Sequence, residues 1–287
     1  MTKSGDNRKL FGSKANVYSA RPEWPEASFV IMLEKAGFNP LDGRAMKDLV
    51  AVDVGAGTGK TTFPLADLGC TVIAVEPNKE MREKLIALKV EGGYDNVIVS
   101  DGDAMDLKVP KEYEGRVDLI YSGNSPHWWS SRMKGNPSGN ELKALAVWQK
   151  SAKPDAMMGI MYLRTLESDP YVKELREILV QNFSKIARVP TEFTATRLFS
   201  VDAFSDYFNS KVAITETYGN YDFKFRDFDH YKDWLLSFSY MPNDAFQNEE
   251  AAQELSDFYA ESAHRQNGVA SVMQGIRIYT GSLNRNP

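Results

Sequence analysis

The chain has 287 residues, of which 43% are hydrophobic, and a formal net charge of −5. This is enough for one sizeable core with a smaller addition, and the negative charge speaks against nucleic acid as a partner. Cys70 is the only cysteine, which excludes an internal disulfide, and no Cys/His cluster shows metal-ligand spacing. The opening stretch MTKSGDNRKLFGSKA lacks the apolar core of a signal peptide. No apolar run approaches the roughly 18–20 residues that span a bilayer. The expectation is a cytoplasmic protein without a membrane partner; its oligomeric state is not legible.

Leu49–Val54 reads as a buried strand and Lys60–Leu68 as a helix. Thr71–Glu76 is a second strand, followed by a helix over Lys79–Lys89. Asn96–Ser100 and Val117–Ser122 are strands three and four, Glu141–Lys153 a helix, and Met157–Leu163 a fifth strand. Short β-rich runs alternating with helices predict βαβ units and a parallel sheet with right-handed crossovers. After Leu163 the rhythm changes. Helices are predicted near Tyr171–Phe183 and Val201–Phe208, a strand over Lys211–Thr217, helices over 228–239 and 244–265, and a last strand over Met273–Leu283. Residues 1–40 form an N-terminal cap segment, 41–287 the main domain, and 164–210 a helical cap insertion.

The sharpest local signal is Val52-Asp53-Val54-Gly55-Ala56-Gly57-Thr58-Gly59, a buried strand running into a glycine turn and then a helix. Glycines admit positive φ and let a ligand approach the backbone. In open parallel sheets ligands bind beyond the carboxyl ends of the strands. Glu76 ends the second strand 17 residues past Gly59, where an acid can accept hydrogen bonds from both hydroxyls of a ribose. Gly57-Thr58-Gly59-Lys60-Thr61 also matches the end of a phosphate-binding loop, but Val54 stands where that motif needs its first glycine. Asp53 would repel a triphosphate, and no strand ends in a convincing magnesium-binding acid. A dinucleotide fingerprint fails as well, because the third glycine comes one residue early.

The ordered set of motifs resembles the class I S-adenosylmethionine-dependent methyltransferases. Asp53 to Gly59 resembles their first motif, Val75-Glu76-Pro77 the ribose motif, and Asp101-Gly-Asp103-Ala104-Met-Asp106 the adenine-side motif. Val117-Asp118-Leu-Ile-Tyr-Ser122, with Asn124 and then His127-Trp128, resembles the fourth. The resemblance implies S-adenosylmethionine as cofactor and a Rossmann-like α/β fold: a seven-stranded, mostly parallel sheet of order 3-2-1-4-5-7-6, with strand 7 antiparallel and a helical cap. That order reverses between strands 1 and 4, where the glycine loop and the SGNSPHWW segment would meet. It implies cofactor contacts from Asp53, Gly55, Ala56, Gly57, Gly59, Glu76, Pro77, Asp103, Ala104, Ser122 and Asn124. Phe11, Ala15, Tyr18, Arg21-Pro22 and Trp24-Pro25, with Trp234 and Ser237-Phe-Ser239, resemble the trans-aconitate methyltransferase-like group. There the N-terminal segment closes over the cofactor, which would bring Tyr18 to its methionine end and Arg21 to its carboxylate. Pro126 stands where many relatives carry a larger apolar residue.

The function implied is methyl transfer to a small-molecule acceptor, with a carboxylate as the candidate. Transfer demands alignment more than acid–base chemistry, and orientation alone lowers barriers by about 7–11 kcal/mol. Aromatic faces tolerate the cationic sulfur, so Tyr18, Trp128 and Trp129 are wall candidates. An acceptor that holds its proton needs a base, for which His127 is the candidate; loop orientation is its other reading. Arg164 and Arg197 are candidates for an acidic acceptor, against ordinary solvated or structural arginines. His230 and His264 read as surface or packing residues. Two alternatives stay open: a cofactor-binding protein without transfer, regulatory or cyclase-like, and an NTPase.

Overall fold

The computed structural model describes residues 14–126, 129, 140–166, 169–183, 214–238, 241 and 243–283. They fall into two compact units. Of the described residues, those within 14–22, 164–183 and 219–275 belong to the first, and those within 23–163, 214–218 and 276–283 to the second.

Seven strands form one sheet: β1 (Val50–Val54), β2 (Thr71–Val75), β3 (Val97–Ser100), β4 (Val117–Gly123), β5 (Ala152–Thr165), β6 (Ile214–Lys224) and β7 (Ser271–Ser282). Their order is β3-β2-β1-β4-β5-β7-β6, as the resemblance implies. The neighbours from β3 to β5 pair in parallel. β7 runs antiparallel to β5: the Leu283 N–H donates to the Ala156 carbonyl at 2.8 Å and the Leu166 N–H to the Met273 carbonyl at 2.9 Å, so numbers rise on one strand as they fall on the other. Every residue of β1 is buried, as a central parallel strand covered on both faces requires. Asp53 is the one charged residue in that strand.

The second unit carries α1 (Glu26–Lys35), α2 (Gly43–Asp48), α3 (Thr62–Asp67), α4 (Lys79–Gly92) and α5 (Asn140–Ser151). α1 was not anticipated, although Phe29, Met32 and Leu33 place a buried stripe at helical spacing. α3 starts two residues later than predicted, because the Gly59 carbonyl first accepts from the Thr62 and Phe63 N–H groups. Pro64 falls in its first turn, where a missing N–H costs nothing. Asn78 caps α4 by accepting from the Met81 N–H, and Gly93 ends it in the left-handed region at φ 67°. β5 begins at Ala152, directly after α5, so the predicted helix over Glu141–Lys153 ends early.

The first unit carries α6 (Pro170–Phe183), α7 (Phe228–Leu236) and α8 (Glu249–Arg265). The predicted helix over 244–265 is two pieces, a 3-10 turn at Ala245–Gln247 and then α8. Asn248 breaks the run and caps α8 by accepting from the Ala251 N–H. Alternating aromatics extend β6 to Lys224, past the predicted end at Thr217. The predicted helix at Val201–Phe208 lies outside the described residues. The core of this unit is aromatic: Tyr171, Phe225, Tyr231, Trp234 and Phe258 are all buried. The core of the second unit gathers Val52, Ile73, Ile120, Met158 and Ile160 around Trp148.

Candidate functional site

The glycine loop leaves β1 and folds at once over the end of β2. The Gly55 and Ala56 N–H groups both donate to the Val75 carbonyl, at 2.8 and 3.2 Å. The Gly57 N–H donates to Glu76 Oε2 at 2.8 Å, and Glu76 Oε1 accepts the Asn78 N–H at 2.8 Å. Gly55, Gly57 and Gly59 all have positive φ, at 76°, 59° and 96°. The Glu76 carboxylate thus sits at the carboxyl end of β2, 7% exposed and held by one N–H on each oxygen. Burial raises its pKa, opposed by the Asn78 and Gly57 N–H groups, raised further by Asp53 and lowered by Arg82. Two accepted bonds leave the carboxylate with free lone pairs for a diol. Arg82 fixes the same corner, donating to the Glu76 carbonyl at 2.7 Å and pairing with Asp101 at 3.2 Å.

Asp53 serves the loop from beneath. It is fully buried, and its Oδ2 accepts from the Thr61 and Thr62 hydroxyls at 2.8 and 2.7 Å. Tyr121, its register partner on β4, donates to the Thr61 carbonyl at 3.0 Å. Burial pushes the Asp53 carboxyl up to about 6, against the Thr62, Thr61 and Tyr121 hydroxyls that hold it down. Sequence reasoning offered Asp53 as a cofactor contact; its geometry is that of a brace between β1 and α3. Thr61, Thr62 and Tyr121 were missed, and their spacing from Asp53 acquires meaning only once β1 and β4 pair.

This geometry removes the phosphate-loop reading. Such a loop turns its N–H groups toward phosphates and its Ser/Thr toward magnesium. Here three loop N–H groups go to Val75 and Glu76, the Thr61 hydroxyl goes to Asp53, and Lys60 pairs with Glu23.

Ser122 is fully buried at the end of β4. Its hydroxyl and that of Ser125 lie 2.6 Å apart and both reach the Val54 carbonyl, at 2.7 and 2.6 Å. Asn124 adopts φ 50° and clamps Leu163 on both sides, accepting from its N–H at 2.9 Å and donating to its carbonyl at 3.0 Å. Both are candidate cofactor contacts, Asn124 with loop-shaping as its other reading, and both shape the loop after β4 where it faces the glycine turn. Asp103 Oδ1 accepts the Met105 N–H at 2.9 Å, a local turn that holds the segment after β3. Ala104 is buried, and its carbonyl accepts from the Trp148 indole at 2.9 Å. Pro77 lies between Glu76 and the N-cap of α4.

Trp129 is 8% exposed and packs edge-on against Trp148 at 5.6 Å, in the core and not on an open wall. His127, Trp128 and Arg197 lie outside the described residues, and Arg164 falls in β5 with its side chain undescribed. Tyr18 and Arg21 belong to the first unit. There Arg21 lies over the Tyr18 ring at 4.7 Å and donates to Ser237 Oγ at 3.1 Å and to the Ser237 carbonyl at 2.9 Å. Among the described residues no group of three or more His, Cys, Asp or Glu is arranged for a metal, and no helix is long and apolar enough to cross a membrane.

Residues 52–155 match the methyltransferase domain family. The chain is 24% identical over 208 residues to an uncharacterized methyltransferase of Mycobacterium bovis, covering 71% of this chain and 73% of that one. It is 32% identical over 160 residues to a tRNA (guanine-N(7)-)-methyltransferase of Corynebacterium efficiens, covering 54% of this chain and 61% of the relative. A structure assigned as a Type II methyltransferase from Anaeromyxobacter dehalogenans superposes with a TM-score of 0.61 at 18% identity, over 93% of this chain and 99% of that one. At that identity the superposition establishes the shared fold.

Proposed function

We propose that this class I S-adenosylmethionine-dependent methyltransferase methylates a small molecule, a carboxylate being the favoured acceptor. Its cofactor is S-adenosylmethionine. The observation that carries the cofactor site is the buried Glu76 carboxylate, held open-ended by the Gly57 and Asn78 N–H groups beside a positive-φ glycine turn. A ribose diol suits the remaining lone pairs, and a turn with glycine at every second position suits the methionine portion. The cofactor supplies a methyl carbon already activated by its positive sulfur. The acceptor atom bonds to that carbon as the carbon–sulfur bond breaks, so the chain's task is to bind, align and exclude water.

A carboxylate acceptor is favoured by the resemblance of Tyr18, Arg21, Trp234 and Ser237 to the trans-aconitate-like pattern, and by the absence of net positive charge for a polyanion. A carboxylate is ionised near neutral pH and has no proton to surrender. On this reading His127 orients the loop after β4 and is not a base, while Arg164 and Arg197 are the candidate partners of the acceptor's charge. The test is turnover of methyl-labelled cofactor against a carboxylate metabolite pool and, separately, against tRNA. Label in methyl esters is expected. Label in tRNA would overturn the small-molecule assignment, and no label in any pool would favour binding without transfer.

Two expected results bear on the cofactor. S-adenosylmethionine or S-adenosylhomocysteine at 100 times Kd should stabilise the fold by about 2.7 kcal/mol, read as a rise in Tm. ATP with magnesium should produce no shift; the reverse pattern would refute the assignment. Glu76→Ala should weaken S-adenosylhomocysteine binding by about 1.5–3 kcal/mol, the usual worth of hydrogen bonds to a charged group. Calorimetry on a variant with native circular dichroism reads this directly, and unchanged affinity would remove Glu76 from the ribose.

A further inference from the structure

His230 is 9% exposed, although the glycine-loop site makes no use of it. It stands in the first turn of α7, whose N-cap Asp227 accepts the His230 N–H at 2.7 Å. Its ring meets two backbone groups. Nδ1 accepts the Arg226 N–H at 3.1 Å, and Nε2 lies 3.2 Å from the Ala20 carbonyl oxygen. A ring nitrogen that accepts a hydrogen bond carries no proton, so the neutral ring keeps its proton on Nε2 and donates it to Ala20. The Phe223 and Phe225 rings flank the imidazole edge-on at 5.6 and 5.9 Å. Burial holds the imidazole below its ordinary range; Arg226 acts in the same direction, while the Ala20 carbonyl, Asp227 and Asp233 act against it.

Ala20 closes the 3-10 turn Tyr18–Ala20. The stretch 14–21 is fastened to 226–241 elsewhere as well: Lys14 Nζ donates to the Met241 carbonyl at 2.6 Å, and Arg21 donates twice to Ser237 and lies over the Phe238 ring at 5.1 Å. Lys14 and Arg21 are donors. Among these ties the imidazole's is the one that depends on a nitrogen without a proton. Protonating it turns Nδ1–H against the Arg226 N–H in an apolar surround, and the ring must swing out to escape, releasing Ala20.

We propose that His230 is a positioning residue: its neutral ring latches the turn Tyr18–Ala20 to α7, and protonation opens the latch and weakens cofactor binding. The second half rests on the assignment of Tyr18 and Arg21 to the cofactor. Hydrogen exchange of the ligand-free full chain, corrected for intrinsic rates and followed over peptides within 14–24, reads the latch from pH 8 to 5. Calorimetry with S-adenosylhomocysteine reads its consequence. In the wild type, protection and affinity should fall together below the ordinary histidine pKa of about 6.5, affinity by about tenfold. His230→Gln keeps a donor for Ala20 and does not titrate, so it should hold both at pH 5. Asp53 titrates in the same interval, which makes the difference between wild type and His230→Gln the deciding quantity. If that variant fails to fold, His230→Asn keeps only the acceptor for Arg226 and should show weak protection at every pH. Identical pH profiles in wild type and variant overturn the latch. Protection that follows pH while affinity does not overturns its link to the cofactor and leaves methyl transfer standing. A folded protein that binds no adenosyl ligand at any pH sinks the proposed function, and the exchange profiles then decide the latch alone.

Discussion

Gly55→Ala is expected to abolish measurable S-adenosylmethionine binding and to cost about 3–4 kcal/mol of stability. Gly55 sits at φ 76°, where an L-residue with a Cβ costs roughly 1–2 kcal/mol. A Cβ there would also lie 2.5 Å from Ser125 Cβ and closer still to its hydroxyl. Ser125 is poorly placed to yield, since its hydroxyl is tied to the Val54 carbonyl at 2.6 Å and to Ser122 at 2.6 Å. Relief means breaking those bonds, each worth about 1 kcal/mol, or lifting the loop away from Val75 and Glu76. The second course takes the Gly57 N–H away from the carboxylate that it orients. Gly37→Ala is the control, because its φ is 86° and nothing lies within 4 Å of an added Cβ. It should cost the strain alone and leave affinity intact. Denaturant titration and calorimetry on both variants decide the matter, and a Gly55→Ala protein with native affinity would refute the loop as cradle.

The strands themselves were legible because buried parallel strands write themselves as apolar runs: LVAVDV, TVIAVE, NVIVS and VDLIYS mark β1 to β4 without needing tertiary knowledge, whereas their order in the sheet did not follow from those runs. The reversal between β1 and β4 came from the family resemblance. α1 escaped because its stripe of Phe29, Met32 and Leu33 covers too few turns to stand out beside proline-rich Arg21–Pro25. The split before α8 escaped because Asn248 interrupts the helix by its backbone angles while leaving the apolar spacing intact.

The site divides in the same way. Gly55, Gly57 and Glu76 were legible, since a strand, a turn and a strand-end acid are local facts. The supports were not. Asp53 meets Tyr121 only across the β1–β4 ladder, and Asn124 meets Leu163 only because β4 and β5 pair. Ser122 and Asn124 likewise hold backbone that lies far away in the sequence, Val54 and Leu163, and those supports appear only once the strands pair. His230 escaped because nothing in the sequence joins it to Ala20, 210 positions earlier.

The second large effect concerns Asp53 and pH. Its carboxyl is raised from 3.8 to about 6 in the folded chain, with burial as the main cause. A folded pKa above the unfolded one means that the native state binds the extra proton between these values. Stability tied to this group is therefore fully present below pH 3.8 and is lost as pH rises through about 6. A shift of about two units corresponds to about 3 kcal/mol. Other carboxylates titrate in the same window, and Glu76 is coupled to Asp53, so the informative quantity is the wild type minus Asp53→Asn. Asparagine does not ionise; whatever its amide gains or loses against Thr61 and Thr62 is independent of pH and drops out of the slope. The stability of Asp53→Asn relative to wild type should therefore grow by about 2.4 kcal/mol from pH 4 to pH 7, most of the full effect, measured by urea unfolding at each pH. A flat difference would mean that the Thr61, Thr62 and Tyr121 hydroxyls offset the burial of the charge in full. The ionised brace beneath the glycine loop would then carry no cost at neutral pH, and its elevated pKa would be refuted.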